Sequence, residues 1–510
     1  MSKVISFENA SATLRPLQEQ GKVIVQCHGT FDLLHPGHII HFEEAKACGD
    51  LLVVTVTADA YVNKGPGRPY FNDDLRLTSI ASLGCVDYVI LVPYPAAVEA
   101  IECVHPDVYC KGKEYQDPAA DVTANILDDV VAVKRMGGRV EYVGSVVFSS
   151  TKLLNSYFET YDPEVKALCS DLTDRHGVDG FRDAVAKLDS LRVLVVGDII
   201  VDRYTTVEVQ GLTSKDRILS VRYDEESAQA GGALAVYRHV KAFASQVNLF
   251  SLAGNETWAD EFLHRYLGEN QGHILRESGF TTVVKQRFVE PLKEGKELSK
   301  LFSVNVINAR RPDESLQRTV RDRLADIIDD YDVIMVMDFG HGLLEPRVRD
   351  LAQDRAKFLA LNCQTNSNNH GYNIINQQYR RADSFSLDER ELCLACGRRE
   401  PDYAAELEAL RDELGAAHAW LTRGGTETIG VEKNGSAIAC PPFEQKVVDT
   451  VGAGDAFSAI VSLAAATGVP LDLATFMGQL AGAQAVRLVG NQSSISKSSY
   501  LKAGLAMLTR

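Results

Sequence analysis

Two short stretches of the sequence carry residues able to handle phosphate. The first is Gly29-Thr30-Phe31-Asp32-Leu33-Leu34-His35-Pro36-Gly37-His38. Two imidazoles flank a Pro-Gly pair, so they face one place and can donate hydrogen bonds to a phosphoryl group gaining charge in a displacement. Gly37 permits close backbone approach. The second is Asp449-Thr450-Val451-Gly452-Ala453-Gly454-Asp455-Ala456-Phe457. Glycines ahead of a helical run let backbone N–H groups fold around an anion. A carboxylate closing such a loop, here Asp455, can accept a hydroxyl proton while the loop stabilises the transferring phosphoryl group.

Both stretches need elements that hold them. Short apolar strands alternate with helical patterns from the start. Val23–Val25, Leu51–Thr57, Tyr88–Val92, Val108–Lys111 and Arg139–Val143 read as strands. Ile39–Ala47, Leu75–Leu83, Val98–Val104 and Val130–Met136 read as helices. This alternation predicts a parallel sheet with helices on both faces. Ligands bind at the carboxyl ends of such strands, and helix N-termini there offer N–H groups to phosphate. From about Asp162 to Asp189 the pattern is helical and polar and has no glycine-rich site, which predicts a bridge. A second alternation begins with the strand Leu191–Val196 and runs to the end. Arg217–Tyr223 and Thr281–Asn305 look like strands outside its rhythm, expected to form a small sheet over an active site. The expected organisation is α/β throughout: a first domain over 1–160, a helical linker over 161–189 and a second domain over 190–510.

Composition limits the partners. The chain has 510 residues, 45% of them apolar, enough for a core in each half. A net charge of −16 argues against a nucleic-acid partner, which requires a basic face. The ten cysteines include one CxxC, Cys393 and Cys396, with no second pair, which argues against zinc and for reduced thiols in a cytoplasmic protein. Met1 to Gln20 does not read as a signal peptide, and no stretch approaches the roughly 20 apolar residues of a membrane span.

The first stretch resembles the HxGH cytidylyltransferase-like nucleotidyltransferases, a Rossmann-like family. Other segments agree over about residues 20–155. Asn63-Lys64-Gly65 with Gly67-Arg68-Pro69 is similar to the family's loop after the second strand, and Arg76 follows in a helix. Lys111-Gly112-Lys113-Glu114-Tyr115 resembles its KGxxY segment. Phe148-Ser149-Ser150-Thr151-Lys152 resembles its ST-rich nucleotide motif. The resemblance implies attack of a substrate phosphate on the α-phosphate of CTP or ATP, with pyrophosphate leaving. It implies that His35 and His38 are catalytic. Gly29, Thr30, Phe31, Lys64, Arg76, Lys111, Ser149, Ser150 and Thr151 would bind nucleotide and phosphate.

The second stretch resembles the DTxGAGD signature of the ribokinase-like (PfkB) kinases, an α/β fold with a small β-sheet lid. That implies Asp455 as catalytic base and the N–H groups of Gly452, Ala453 and Gly454 as the anion hole. Gly197-Asp198 with Asp202-Arg203-Tyr204 resembles the GDxxxDRY start of the heptose kinase branch, whose second Asp binds sugar. Gly231-Gly232-Ala233 resembles the sugar-side glycine motif, and Thr422-Arg423-Gly424-Gly425 the ATP-side segment. The match spans about residues 190–505. Three positions depart from it. Ala235 stands where relatives carry a sugar-binding Asn. Ser386-Leu387-Asp388-Glu389 stands for their NxxE, which keeps Glu389 for magnesium. Leu361-Asn362-Cys363 replaces their Asp-Pro.

Together the halves resemble the bifunctional heptose-phosphate kinase/adenylyltransferase family with the domain order reversed. The resemblance implies ATP- and Mg²⁺-dependent phosphorylation of a sugar or polyol, then nucleotidyl transfer to the sugar phosphate for surface polysaccharide synthesis. It also implies a homodimer paired through the side sheet. The departures motivate an alternative, a degenerate kinase domain retained for sugar binding or dimerisation.

Overall fold

The computed structural model describes all residues except 1–2, 63–67, 114–115, 117–124, 145–161, 294–295, 309, 367–368, 370 and 510. The chain forms two compact units. Met1–Lys166 with Ser498–Arg510 make the first, and Ala167–Lys497 make the second.

The first unit is built on a six-stranded sheet of β1 (Val4–Ile5), β2 (Ile24–Gly29), β3 (Leu51–Thr57), β4 (Tyr88–Val92), β5 (Val108–Gly112) and β6 (Arg139–Val143). The order is β1-β4-β3-β2-β5-β6, and every pairing is parallel. The strands read as near-continuous apolar runs because both faces are covered. Val25, Cys27, Leu52, Val54, Val56, Val89, Val108 and Cys110 share one core with Phe42 and Ala45 of the helix Pro36–Lys46. The chain builds outward from β2 through β3 to β4, then returns to the other side of β2 with β5. That reversal opens a crevice at the carboxyl ends of β2 and β5. The first phosphate stretch leaves β2 at this point, and Lys111 ends β5 beside it.

The second unit has a nine-stranded sheet with the order β11-β10-β7-β14-β15-β16-β17-β18-β19. Its strands are β7 (Arg192–Gly197), β10 (Gln246–Ala253), β11 (Ile274–Arg276), β14 (Val333–Asp338), β15 (Leu359–Cys363), β16 (Ser384–Asp388), β17 (His418–Thr422), β18 (Thr428–Glu432) and β19 (Ile438–Cys440). It is parallel from β11 to β17, and β18 and β19 add antiparallel at the edge. Its reversal lies between β7 and β14, which places Asp198 and Asp338 at the crevice.

A separate four-stranded sheet, β13-β12-β8-β9, forms the lid. It contains β8 (Ile199–Leu212), β9 (Leu219–Gly232), β12 (Val283–Val289) and β13 (Lys300–Val306). The lid was expected from 217–223 and 281–305, but β8 was not. It follows β7 after one residue and carries the buried Asp202 near the start of a 14-residue strand. The stretch expected as a linker over 161–189 forms the helical segment Pro163–Lys187, broken at Gly177 (φ 69°). From Ala167 it groups with the second unit. The reason is packing: Phe181 meets Phe476 edge-on at 5.7 Å, and His176 reaches the Asp472 carboxylate at 2.8 Å. No helix among the described residues is long and apolar enough to cross a membrane.

Candidate functional sites

In the first unit the turn after β2 is held from within. Phe31 takes a left-handed conformation (φ 47°), and its ring packs on Phe42 at 4.9 Å. A Cβ at Gly29 would press on that ring at 2.9 Å, so the turn requires glycine there. The Asp32 carboxylate is buried and accepts from Arg68 Nη1 (3.0 Å), Tyr70 N (2.7 Å) and Phe71 N (3.0 Å). It ties the loop after β3 to the turn. His35 caps the helix Pro36–Lys46. Its ring stacks on His38 with centroids 3.9 Å apart, and Phe31 meets His38 edge-on. The structure thus brings the two predicted histidines together at a helix N-terminus, where donors and dipole favour an anion.

Lys111 also reaches this crevice, and its ammonium is engaged by the buried Asp129 at 2.6 Å. Arg76 differs from expectation. Its side chain is wholly buried and donates to Thr30 O (2.6 Å), Thr57 O (2.9 Å), Asp59 Oδ1 (2.6 Å) and Asp73 Oδ1 (2.7 Å). Through these bonds the guanidinium clamps the turn after β2 to the loop after β3. Lys64, Ser149, Ser150 and Thr151 lie outside the described residues.

Sequence reading missed His28. It sits at the end of β2 between Thr55 Oγ1 (3.0 Å) and Thr57 Oγ1 (3.3 Å). Burial, then the positive charges of Lys111 and Lys502, push it down to about 3. It is a neutral hydrogen-bonding group in a cationic crevice.

In the second unit, Asp455 lies in the first turn of the helix Ala453–Ala466. Gly452 caps that helix at φ 87°, and a Cβ there would collide with the Asn491 amide. Gly452, Ala453 and Gly454 therefore wrap the end whose N–H groups lack intrahelical partners. Burial, then the charge of Asp202, pushes the Asp455 carboxyl up to about 7, opposed by Lys285, Gln364 and Arg287. Gln364 Nε2 donates to Asp455 Oδ1 at 3.4 Å. A carboxylate poised near neutrality suits a general base.

Asp202 on β8 pairs with Arg287 of β12, whose guanidinium lies over the Tyr204 ring at 5.5 Å. Gly231 is needed because a Cβ would strike the Asp202 carboxylate. Gly232 (φ 56°) turns the chain into the helix Ala233–Lys241. Asp449, the first residue of the DTxGAGD run, is fully buried. It accepts from Lys300 Nζ (2.6 Å), Tyr204 OH (3.0 Å), Gly490 N (2.9 Å) and Val451 N (3.1 Å). Two of these donors belong to the lid, so the lid is tethered to the glycine loop.

Glu389 and Glu391 stand in different surroundings. Glu389 is partly exposed and turns to Arg423 Nε (3.2 Å) and Tyr403 OH (2.6 Å). Glu391 is the buried one, and with Asp388 it forms a capping box on the helix Glu389–Cys396. It accepts from Thr365 N at 3.0 Å. Burial, then Asp388, pushes it up to about 8, and the charge of Asp455 adds to this. The physical reason is that β16 runs on to Asp388, so the helix places its third residue, not its first, toward the crevice. Two of the departures satisfy each other: Asn362 Nδ2 donates to Ser386 O at 3.0 Å. Thr422 ends β17, and Gly424 follows in the left-handed region (φ 56°). Between them, Arg423 stacks on Tyr403 at 4.0 Å.

Residues 27–202 match the cytidylyltransferase-like family, and residues 351–498 match the pfkB family of carbohydrate kinases. The first match runs past the first unit into β8. Among curated proteins, the bifunctional protein HldE of Pseudomonas entomophila is 38% identical over 153 residues, covering 29% of this chain and 30% of that one. HldE of Syntrophotalea carbinolica is 33% identical over 164 residues, covering 32% of each. The chain thus spans about a third of the length of these relatives in the matched region. Among solved structures, Thermotoga maritima ribokinase covers 62% of this chain and 99% of its own, at 19% identity and a TM-score of 0.47. Escherichia coli phosphofructokinase-2 gives the same coverage at 16% identity and a TM-score of 0.49. The chain joins a cytidylyltransferase-like domain to a pfkB family carbohydrate-kinase domain, in the order opposite to that of the bifunctional HldE proteins.

Proposed function

We propose that the second domain phosphorylates a sugar or polyol with ATP, and that the first converts the product into a nucleotide-activated sugar for surface polysaccharide. The observation that carries the reading is Asp455, held near neutrality at the mouth of an intact glycine loop. There Asp455 takes the proton of the acceptor hydroxyl as its oxygen attacks the γ-phosphorus. ADP leaves, and the helix N-terminus stabilises the charge on the phosphoryl oxygens. In the first domain an oxygen of the sugar phosphate attacks the α-phosphorus of CTP or ATP. Pyrophosphate leaves, helped by donation from His35 and His38.

Among the described residues no group of three or more side chains could hold a metal by itself. Magnesium would arrive on the nucleotide, where it neutralises phosphate charge, and the buried Glu391, within electrostatic reach of Asp455, would help to hold it. The departures at Ala235, Ser386 and Asn362 support a second reading, a kinase domain retained to bind sugar or to pair two copies.

The test offers CTP, ATP, GTP and UTP in turn with sugar and polyol phosphates, and follows pyrophosphate. ADP formation with the matching unphosphorylated sugars is measured in parallel. Asp455→Asn should abolish phosphorylation and leave pyrophosphate release intact. Sugar-dependent ADP formation unchanged by Asp455→Asn sinks the kinase assignment, and its absence from the wild type favours the second reading.

A further inference from the structure

The kinase crevice contains a buried polar atom that no described residue satisfies. His341 lies in the loop after β14, between Gly340 (φ 70°) and Gly342 (φ 114°). The residue is 8% exposed, and its Nε2 is buried without a hydrogen-bond partner among the described residues. Buried polar side-chain atoms are nearly always paired, so an unpaired one in a crevice marks a place for a ligand atom.

The loop that presents it is fixed. The buried Asp198 carboxylate accepts from His341 N at 3.0 Å and from Leu343 N at 3.1 Å. The ring is neutral: burial, then the charge of Lys285, pushes it down to about 4. A neutral imidazole offers one donor or one acceptor, which suits a hydroxyl.

Lys285 links the ring to the reacting centre. It pairs in register with Asp202 across β12 and β8, and its ammonium lies 5.8 Å from the Phe339 ring, two residues before His341. It lies within electrostatic reach of Asp202, Asp455 and Asp198. His341 thus borders the same space as the catalytic carboxylate.

We propose that His341 is an acceptor-binding residue of the kinase, its Nε2 hydrogen-bonding a second hydroxyl of the phosphoryl acceptor beside the one that Asp455 deprotonates. The inference rests on the kinase reading above. It requires a polyhydroxylated acceptor and makes one non-reacting hydroxyl a determinant of specificity.

The test uses the full chain as wild type, His341→Ala and His341→Gln. A panel of sugars and polyols is offered with ATP and Mg²⁺, and the best acceptor is compared with each of its single-deoxy forms. One neutral hydrogen bond predicts a rise of roughly 3- to 10-fold in KM for the acceptor in His341→Ala. KM for ATP should not change. The penalty should vanish for the one deoxy form that lacks the partner hydroxyl, and His341→Gln should recover part of it. An unchanged acceptor KM, a parallel rise in KM for ATP, or an equal penalty for every deoxy form overturns the assignment. If the wild type phosphorylates nothing, the kinase reading fails and calorimetry of the same sugars in the presence of ADP decides. Binding by the wild type that His341→Ala weakens keeps the role of His341. Equal binding by both, or binding by neither, ends it.

Discussion

Replacing Lys300 with Met should loosen the hold of the lid on Asp449. Asp449 is fully buried and holds four donors, of which Lys300 is the only charged one. Removing one partner of a buried pair costs about 3–5 kcal/mol. The Lys300 side chain is 32% exposed, so water reaches the place it vacates and the cost falls to about 2 kcal/mol. Lys300 belongs to β13, and the N–H of Leu298, just ahead of that strand, reaches Val448 O at 2.7 Å. The cost therefore falls on closure of the lid over the loop. At 1.36 kcal/mol per decade, kcat/KM of the kinase should drop by up to about 30-fold. The assay is sugar-dependent ADP formation, with pyrophosphate release by the first domain as internal control. Adding Asp449→Asn removes the stranded carboxylate and should return part of the loss. Unchanged kinase kcat/KM in Lys300→Met, or a double variant worse than the sum of the singles, refutes the tether.

Four further outcomes follow from the sites. Kinase kcat/KM should fall about tenfold per unit as pH drops below about 7, because Asp455 is then protonated. The same raised carboxyl disfavours folding as pH rises from its ordinary range to about 7, so Asp455→Asn should melt higher than wild type at pH 8; a pH profile flat from 6 to 8 contradicts this. Arg76→Met should lower the melting point of the first domain by the equivalent of about 2 kcal/mol, because the buried Thr57 carbonyl loses its donor while water reaches the Asp59 and Asp73 carboxylates. A changed KM for nucleotide with unchanged melting would instead make Arg76 a phosphate ligand. Glu391→Gln should reduce ATP-dependent turnover and alter its magnesium dependence, whereas Glu389→Gln should do neither; the reverse pattern would restore Glu389.

Much of the fold was legible because the period of the pattern does the work. Buried parallel strands such as Leu51–Thr57 and Tyr88–Val92 are continuous apolar runs, and their predicted bounds match β3 and β4. The predicted histidines and Asp455 also sit where strand and helix ends converge. What escaped was set by tertiary contacts. Arg76 reads as a phosphate cation, and only the positions of Thr30, Thr57, Asp59 and Asp73 show that its Nη1 and Nη2 groups already hold protein acceptors. Glu389 was favoured over Glu391 by spacing from Ser386. The Asp-x-x-Glu of Asp388 to Glu391 was in the sequence as a capping box and would have located the helix start. Nothing local marks the GDxxxDRY segment as the opening of a 14-residue strand. His341 carries no motif of its own, and its unpaired nitrogen is visible only once the crevice is built.

The grouping of Ser498–Arg510 with Met1–Lys166 makes the whole kinase unit an insertion within the transferase unit. During synthesis the kinase unit, contiguous over 167–497, can complete its core as it emerges, while the first unit waits for the later helix Lys497–Leu508. Expressing residues 1–166 alone would therefore yield a transferase short of one of its own helices. It would also lack Lys502, whose charge helps keep His28 neutral. Dividing this chain into two working enzymes calls for a circular permutation that joins 498–510 to 1–166, not for a single cut.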